Sequence, residues 1–372
     1  QLRADPDYFT SREYPLDQYL PMKTSGTTGR PRVLYHDLKG LLQNSAHGQR
    51  ERSIYAAIVG KQFGNRETLI GARRNSHLAE LQLFCQSHAF YPRGARIVRQ
   101  YLAMSDPLEN NIKEMNEFEP EILHCYGSYL GVLFNYLHST GTALHPPKLI
   151  TYGADAASPA ARKLVSESFH IPVFTTYGAI EMLKIAFECE EHVGLHLNSD
   201  LYPIRLIDDT GRDVPAGESG QLIISNLVNR ATILLNYRLG DVNRLLPERC
   251  ACGRSLPLLA YPEGRLDDWM VLPGGRVVHA QQIRQVFLPE AVILQFQVIQ
   301  ESLTAWRALV VTPNDADRPA MARRIIDRCA AAFGDVLAVD VRFVDRVEMT
   351  AGGKINPVVR MTLREQQAVD SR

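Results

Sequence analysis

Hydrophobic positions in the first half of the chain follow two alternating patterns. Segment 41–59 has a helical period, and segment 119–140, "EPEILHCYGSYLGVLFNYLHST", predicts a short buried strand, a glycine-marked turn and a helix. The same order of strand, turn, helix and strand recurs over 146–181. This alternation is typical of βαβ units and predicts a mainly parallel sheet.

The pattern changes in the second half of the chain. Segments 202–227 and 231–246 predict antiparallel strands joined by the turns "DTG" and "AGESG", so we expect a β-rich subdomain over about 185–262. From residue 264 onward the order is a helix at 280–287, strands at 291–300 and 305–313, a helix at 318–333 and a strand at 337–345. We therefore predict an α/β protein with a large N-terminal domain, 1–263, and a small mobile α+β domain, 264–372.

Composition narrows the function classes. The 372 residues are 45% hydrophobic, and 41 basic side chains balance 41 acidic ones. Such a balance gives no long-range field that favours nucleic acid or a membrane surface. The start "QLRADPDYFT" has no apolar signal-peptide core. We expect a cytoplasmic small-molecule enzyme without nucleic-acid or membrane partners, and the sequence is compatible with a homodimer.

The segment "TSGTTGRPR" at 24–32 combines glycines, hydroxyls and two arginines. Three interpretations compete: a flexible surface turn, a P-loop and another type of phosphate loop. The P-loop interpretation fails because no Gly-Lys-Ser/Thr ending follows the glycines. The choice between the other two depends on matching chemistry elsewhere in the chain.

Four further motifs supply that chemistry in a fixed order. They are "TTYGAIEM" at 175–182, "YRLGD" at 237–241, "GRLDDWMVLPGGRVV" at 264–278 and "TAGGKINPVVR" at 350–360. With these motifs the chain resembles the adenylate-forming superfamily of acyl-CoA synthetases, peptide-synthetase adenylation domains and luciferases. "CACGRSLPLL" and "ECEEHVGLHLNSDLYPIRLID" make it most similar to the phenylacetate-CoA ligase branch. The chain is short for that branch, so we expect an upstream segment to be missing.

The resemblance implies a reaction in two halves. A carboxylate, expected to be aromatic or otherwise hydrophobic, attacks the α-phosphate of ATP to give an acyl-adenylate and pyrophosphate. The thiol of CoA then attacks the activated carbonyl. The alternative is the same adenylation with transfer to a carrier-protein phosphopantetheine or to an amine. A non-catalytic acyl-adenylate-binding module is a third class, against which the retained Glu181, Asp241 and Lys354 argue.

The resemblance also implies roles for individual residues in nucleotide binding. The phosphates would be held by the loop residues Thr24, Ser25, Gly26, Thr27, Thr28, Gly29 and Arg32. Arg32 stands where the family usually has Lys, so its contact differs in geometry. The adenine would lie between Tyr177 and the pair Gly153 and Ala154, with Thr176 and Gly178 beside it. Glu181 would hold Mg²⁺, although Ile180 replaces the threonine that commonly precedes this glutamate.

The remaining implied roles lie further along the chain. Asp241 would accept hydrogen bonds from the ribose hydroxyls, although in isolation it is equally compatible with a simple turn. Arg265 would contact the nucleotide, and Asp267 would form the hinge. Lys354 would join the substrate carboxylate to the α-phosphate, a role that rests on the resemblance because a lysine in "GGKIN" is by default a solvated charge.

Three glycine positions and one aromatic position complete the implied site. Gly274 and Gly275 would line the path of the CoA thiol, where side chains would obstruct a pantetheine arm. Tyr126 and Gly127 would form a wall of the acyl pocket. Tyr126 is equally compatible with core packing.

Cysteine and histidine spacing predicts a separate metal site. Cys189 and His192 form C-x-x-H, and Cys250 and Cys252 form C-x-C on the next β-rich segment, which together match a closed Cys₃His zinc site. His196 is a competing ligand. The alternative is two pairs of ordinary thiols, because C-x-C is tighter than the usual zinc spacing. We expect a structural zinc ion.

Overall fold

A computed structural model describes residues 7–24, 32–74, 77–90, 97–262, 264–265, 269–313, 316–350 and 354–360, except for the side chains of Arg265 and Gln281. The chain divides into two compact units. The first comprises Gln1–Cys125, His145–Ala154 and Ile171–Pro262, and the second comprises Tyr126–Leu144, Asp155–His170 and Glu263–Arg372. The break after Pro262 lies one residue from the predicted boundary, whereas two earlier segments group with the C-terminal part.

A long mixed sheet organises the first unit. Its strands run in the order β10-β11-β12-β13-β9-β8-β7-β6-β5-β3-β4. Their bounds are β3 (Arg66–Gly71), β4 (Val98–Ala103), β5 (Ile122–Tyr126), β6 (Leu149–Gly153), β7 (Val173–Ala179), β8 (Leu183–Glu188), β9 (Leu195–Leu197), β10 (Ile204–Ile207), β11 (Ser219–Ile224), β12 (Tyr237–Leu246) and β13 (Leu258–Leu259). A separate hairpin consists of β1 (Leu20–Lys23) and β2 (Val33–His36).

The direction of pairing changes at β7. The pairs β3–β4, β3–β5 and β6–β7 are parallel, whereas β7–β8, β8–β9, β9–β13, β13–β12, β12–β11 and β11–β10 are antiparallel. The predicted change from a parallel sheet to antiparallel strands is therefore confirmed. It occurs at strand β8, which begins at Leu183, close to the expected start of the β-rich subdomain.

The helices of the first unit are α1 (Leu38–His47), α2 (Gln49–Val59), α3 (His77–His88) and α4 (Leu108–Phe118), with short 3-10 turns at Asp7–Phe9 and Leu16–Gln18. The side chain of Asp37 caps α1 by accepting a hydrogen bond from the Gly40 backbone N–H at 2.8 Å. The hydrophobic pattern predicts one helical segment over 41–59, but the chain turns at Gly48 and begins a second helix.

The second unit contains α5 (Gly127–Thr140), α6 (Pro159–Lys163) with a π-helical turn at Leu164–Ser168, and the C-terminal elements. These are β14 (Gly264–Arg265), β15 (Trp269–Val271), a 3-10 turn at Pro273–Gly275, β16 (Val277–His279), α7 (Ala280–Phe287), β17 (Gln295–Ser302), β18 (Ala305–Val311), α8 (Arg318–Phe333), β19 (Ala338–Phe343) and β20 (Val358–Val359). Four strands form a sheet in the order β19-β18-β17-β20. The fold class predicted from the sequence, α/β with a C-terminal α+β part, is confirmed.

Each unit has a hydrophobic core. In the C-terminal part, Trp306 on β18, Ile283 on α7 and Ile325 on α8 are almost fully buried in one core. In the first unit, buried leucines of the antiparallel strands form a core on which Tyr177 and Tyr237 pack. Among the described helices, none is both long and apolar enough to span a membrane.

Candidate active site

The end of strand β7 has a backbone that only glycine fits. The pairing of β7 with β8 is irregular between Tyr177 and Gly178. A Cβ atom at Gly178 would lie 2.4 Å from the Leu183 carbonyl oxygen, closer than real Cβ contacts. The chain then turns back through residues 180–182, where the Met182 N–H donates to the Ala179 carbonyl at 3.0 Å. Glu181 lies in this turn.

Two tyrosine–carboxylate pairs connect this turn with strand β12. The Tyr177 hydroxyl donates to Asp241 Oδ2 at 2.5 Å, and the Tyr237 hydroxyl donates to Glu181 Oε1 at 3.0 Å. Each segment therefore contributes one tyrosine and, four positions later, one acid, and each tyrosine bonds the acid of the other segment. We call these four residues the crossed pairs.

Burial further favours the neutral form of the second tyrosine. Loss of solvation, together with the neighbouring Glu181 carboxylate, raises the pKa of Tyr237 to about 12. At neutral pH its hydroxyl is therefore a donor to Glu181. Sequence reasoning assigned Asp241 within "YRLGD" but missed Tyr237; the equal spacing of tyrosine and acid in the two motifs is the signal that was available.

The ends of the glycine-rich loop are joined to each other. The Thr24 N–H donates to the Arg32 carbonyl at 2.9 Å, and the Arg32 N–H donates to the Thr24 hydroxyl oxygen at 3.1 Å. The Arg32 guanidinium donates from Nη1 to the Tyr237 hydroxyl oxygen at 2.8 Å. The loop residues predicted between these ends, Ser25, Gly26, Thr27, Thr28 and Gly29, lie outside the described residues.

The predicted adenine-binding residues meet where β6 ends. A Cβ atom at Gly153 would lie 2.9 Å from the Thr176 hydroxyl oxygen, so the two strands approach closely. Ala154 follows with a left-handed φ of 67°. The structure thus brings Gly153 and Thr176 together on neighbouring strands, and Tyr177 is the next residue of β7.

The predicted acyl-pocket residues begin helix α5 in the second unit. A Cβ atom at Gly127 would lie 2.3 Å from the Ala157 backbone nitrogen, so this position requires glycine. The Ser128 N–H donates to Asp155 Oδ1 at 3.2 Å. Burial raises the pKa of Asp155, an effect that Ser128 and the Lys354 ammonium partly offset. Asp155 is a second residue that sequence reasoning missed.

The other predicted positions of the second unit are partly described. The Thr350 N–H donates to the Lys354 carbonyl at 2.8 Å, which brings these two residues together. Gly274 and Gly275 have left-handed φ values of 77° and 80° between strands β15 and β16. Asp267 and the side chain of Arg265 lie outside the described residues, so the hinge and the Arg265 contact stay predictions.

A Cys/His cluster lies at the other end of strand β8. The ligand atoms of Cys189, His196, Cys250 and Cys252 all lie within 4.8 Å of one another. Cys189 Sγ is 3.5 Å from Cys250 Sγ, and Cys252 Sγ is 3.3 Å from His196 Nε2. Burial raises the pKa of the Cys189 thiol to about 12.

The structure corrects the histidine of this cluster. His192 was predicted as the fourth ligand, but its Nδ1 lies 3.0 Å from Glu188 Oε1 and its ring packs on Phe174. His196 takes the place because strand β9 pairs with both β8 and β13, which carries its side chain to the cysteines. The sequence analysis gives His196 as the competing ligand, but the local C-x-x-H spacing favours His192.

Comparison with known proteins finds relatives of the kind that the sequence motifs predict. A profile of the CapK C-terminal domain matches residues 270–361. The phenylacetate-coenzyme A ligase of Thermus thermophilus is 27% identical over 288 residues, which cover 74% of this chain and 61% of that protein. Protein CapK of Staphylococcus aureus is 20% identical over 345 residues, which cover 91% of this chain and 73% of that protein.

Solved structures agree with the fold. A 2-hydroxyisobutyryl-CoA ligase in the postadenylation state, in complex with R3-HIB-AMP, has a TM-score of 0.72 and 15% identity over 100% of this chain and 79% of that chain. The chain therefore shares the fold of CoA ligases that form acyl-adenylates. An amide bond synthetase from Marinactinospora thermotolerans, with a TM-score of 0.62 and 17% identity, shares the same fold over 93% of this chain and 70% of that chain.

In sequence, the chain is similar to phenylacetate-CoA ligases. It matches only part of the length of several of those ligases: 61% of the Thermus thermophilus protein, 58% of the Pseudomonas putida protein and 55% of the Aromatoleum evansii protein. The resemblance to phenylacetate-CoA ligases predicted from the sequence is therefore confirmed for the segments that align.

Proposed function

We propose that this protein activates a carboxylic acid with ATP, releases pyrophosphate and transfers the acyl group to the thiol of CoA. The crossed pairs carry this proposal, because they gather two carboxylates and two aromatic rings beside the end of the glycine-rich loop. Names of the aligned relatives support CoA as acceptor and an aromatic acid as substrate.

Each residue of the nucleotide site has a chemical task in this proposal. The Tyr177 ring would stack on adenine, while Asp241 would accept from the ribose hydroxyls. The glycine-rich loop, ending at Arg32, would donate hydrogen bonds to the phosphates. These groups orient ATP so that its α-phosphate faces the attacking carboxylate, which is the main contribution of the protein in phosphoryl transfer.

Glu181 fits a magnesium ion. Its carboxylate is a hard oxygen ligand, and it is held in position by the Tyr237 hydroxyl. When bound, Mg²⁺ supplies charge neutralisation on the phosphates.

Lys354 is proposed as the residue that contacts both the substrate carboxylate and the α-phosphate. Its ammonium lies near enough to Asp155 to influence the pKa of that carboxyl, beside the start of helix α5. A cation there would stabilise the negative charge that develops as the carboxylate attacks. Tyr126 and Gly127 at the same helix start would border the acyl group.

The test is carboxylate-dependent exchange of labelled pyrophosphate into ATP, measured over a panel of aryl and alkyl acids. We expect exchange with at least one aryl acid, followed by a CoA thioester when CoA is added. If no acid supports exchange, the adenylation proposal is wrong.

The same assay distinguishes the second candidate, in which the acceptor is an amine or a carrier-protein phosphopantetheine. The shared fold of an amide bond synthetase favours keeping this candidate. Exchange without any CoA thioester, but with amide formation when amines are added, would support it over the first. A mass spectrum of the products separates the outcomes.

We further propose that Cys189, His196, Cys250 and Cys252 bind a structural zinc ion. Three sulfur atoms and one imidazole nitrogen within 4.8 Å of one another match the ligand set of a closed tetrahedral site. Because the three cysteines and the histidine are buried or nearly so, the ion would join strands and loops rather than contact substrate.

Metal analysis of the purified protein tests this proposal. We expect about one zinc per chain, a loss of most of it in His196→Ala and retention in His192→Ala, since tetrahedral zinc needs four ligands. Less than half an equivalent in the unaltered protein, or equal loss in the two histidine variants, would contradict the assignment.

A further inference from the structure

We propose that Tyr237 is a positioning residue that connects Arg32 to Glu181 and thereby prepares the phosphate end of the nucleotide site for Mg·ATP. This inference rests on the proposed adenylation. It assigns to the tyrosine of "YRLGD" a role separate from that of Asp241 in the same motif.

The first step of the argument is the direction of the hydrogen bonds. A tyrosine hydroxyl has one proton and accepts through its lone pairs. The Tyr237 oxygen accepts from Arg32 Nη1 at 2.8 Å, so its own proton is directed to Glu181 Oε1 at 3.0 Å. The three side chains form one chain of hydrogen bonds from the cation to the carboxylate, and each bond polarises the next.

The second step concerns how firmly Glu181 is held. Its backbone carbonyl accepts from Asn226 Nδ2 at 3.0 Å, and Asn226 is buried. Main chain and carboxylate are thus anchored independently, one by Asn226 and the other by Tyr237. A hydrogen bond to Oε1 also fixes the direction in which Oε2 points, which is what a metal ligand needs.

The third step explains why an arginine suits the end of the loop. Guanidinium has five N–H donors in a planar fork, so a bond from Nη1 to Tyr237 leaves other donors of the group for phosphate oxygens. A lysine ammonium is a compact point charge and lacks the planar fork that directs separate donors to separate partners. The replacement of the usual lysine by Arg32 is therefore matched by the position of Tyr237.

The crossed pairs provide a matched control. Tyr237 bonds the carboxylate expected at the phosphates, whereas Tyr177 bonds the carboxylate expected at the ribose. AMP presents adenine, ribose and one phosphate without a metal ion, whereas Mg·ATP needs the whole site. Removing the two hydroxyls separately should therefore change the affinities for the two nucleotides in different ways.

The experiment measures the dissociation constants of AMP and of Mg·ATP by isothermal titration calorimetry, without any turnover. Tyr237→Phe is expected to weaken Mg·ATP about tenfold, the usual effect of one hydrogen bond to a charged group, and to change AMP by less than about twofold. Tyr177→Phe is expected to weaken both nucleotides by a similar factor. Tyr14→Phe, at an exposed tyrosine, controls for loss of a hydroxyl alone.

The outcomes separate this inference from the proposed function. If the unaltered protein binds neither nucleotide, the proposed function is wrong. If it binds both and Tyr237→Phe weakens them equally, or weakens neither, the inference is wrong while the proposed function stands. A double variant with Arg32→Ala should lose less Mg·ATP affinity than the product of the two single losses, because both act through one chain of bonds; a simple product would remove Arg32 from the assignment.

Discussion

The crossed pairs and the Cys/His cluster are both built on the antiparallel strands of the first unit, but they are constructed in opposite ways. The crossed pairs are partly exposed and held by hydrogen bonds from tyrosine hydroxyls to carboxylates. The cluster consists of four side chains, three of them buried, whose ligand atoms face one another within 4.8 Å. One arrangement places carboxylates at a partly exposed position, and the other turns its sulfur and nitrogen atoms inward.

This difference indicates which region contributes to binding and which contributes to folding stability. Partly exposed carboxylates remain hydrated in the free protein, so changing them affects binding more than folding. Buried thiols around an ion contribute to folding itself, because the binding free energy of the metal becomes free energy of folding. Variants in the two regions should therefore separate stability from activity.

The largest expected effect is on stability, from Cys250→Ser. Loss of one ligand should remove on the order of 4 kcal/mol of metal-binding free energy and lower the melting temperature by about 10 °C. Differential scanning calorimetry of the purified variant measures this change. Cys85→Ser is the matched control, because Cys85 is also a buried thiol of the first unit but is not one of the four cluster residues. An equal fall in both variants would mean that the cluster has no special role in stability.

The next effect is on activity, from Asp241→Asn. Replacing the carboxylate by an amide keeps its size but removes the charge that should bind the ribose hydroxyls, so pyrophosphate exchange is expected to fall about 100-fold in kcat/KM, which is about 2.7 kcal/mol. The melting temperature should stay within about 3 °C of the unaltered protein. Asp208→Asn, at a carboxylate in a surface turn, is the control. Unchanged kinetics with a large fall in melting temperature would mean that Asp241 contributes to folding rather than to nucleotide binding.

The smallest effect comes from His192→Ala, a residue beside the cluster but outside it. His192 contacts the buried Glu188, which also accepts from the Thr175 N–H at 2.7 Å and from the Tyr261 hydroxyl. Losing one of several partners should lower the free energy of unfolding by about 1 kcal/mol, roughly 3 °C in melting temperature. A fall as large as that of Cys250→Ser would place His192 among the residues on which the cluster depends.

Local signals in the sequence were sufficient for several elements. The helices predicted at 280–287 and 318–333 have those bounds in the structure. For the second, Asp317 caps the first turn and Gly334 follows the last residue, so both ends are specified by neighbouring residues. The hydrophobic period of segment 41–59 predicts one helix because it continues across Gly48, where the backbone turns.

Contacts between distant strands were not available from the sequence. His196 rather than His192 meets the cysteines because of the register in which β9 pairs with β8 and β13, and no spacing along the chain encodes that register. The crossed pairs have the same origin: each motif was recognised separately, but the exchange of partners between them depends on tertiary structure. The equal spacing of tyrosine and acid marks Tyr237 as a candidate, but that spacing does not identify Glu181 as its partner.

The crossed pairs also show that the sheet is strongly curved. Strands β12 and β7 are four steps apart in the order β12-β13-β9-β8-β7. In a flat sheet four steps span about 19 Å, far more than a tyrosine and an aspartate can bridge. Yet the Tyr177 hydroxyl and Asp241 Oδ2 are 2.5 Å apart, so these strands must curl towards closure. The contacts between the two segments of the crossed pairs are thus set by the curvature of the sheet. A substitution among the buried leucines of this core that changes the curvature would therefore alter both tyrosine–carboxylate contacts.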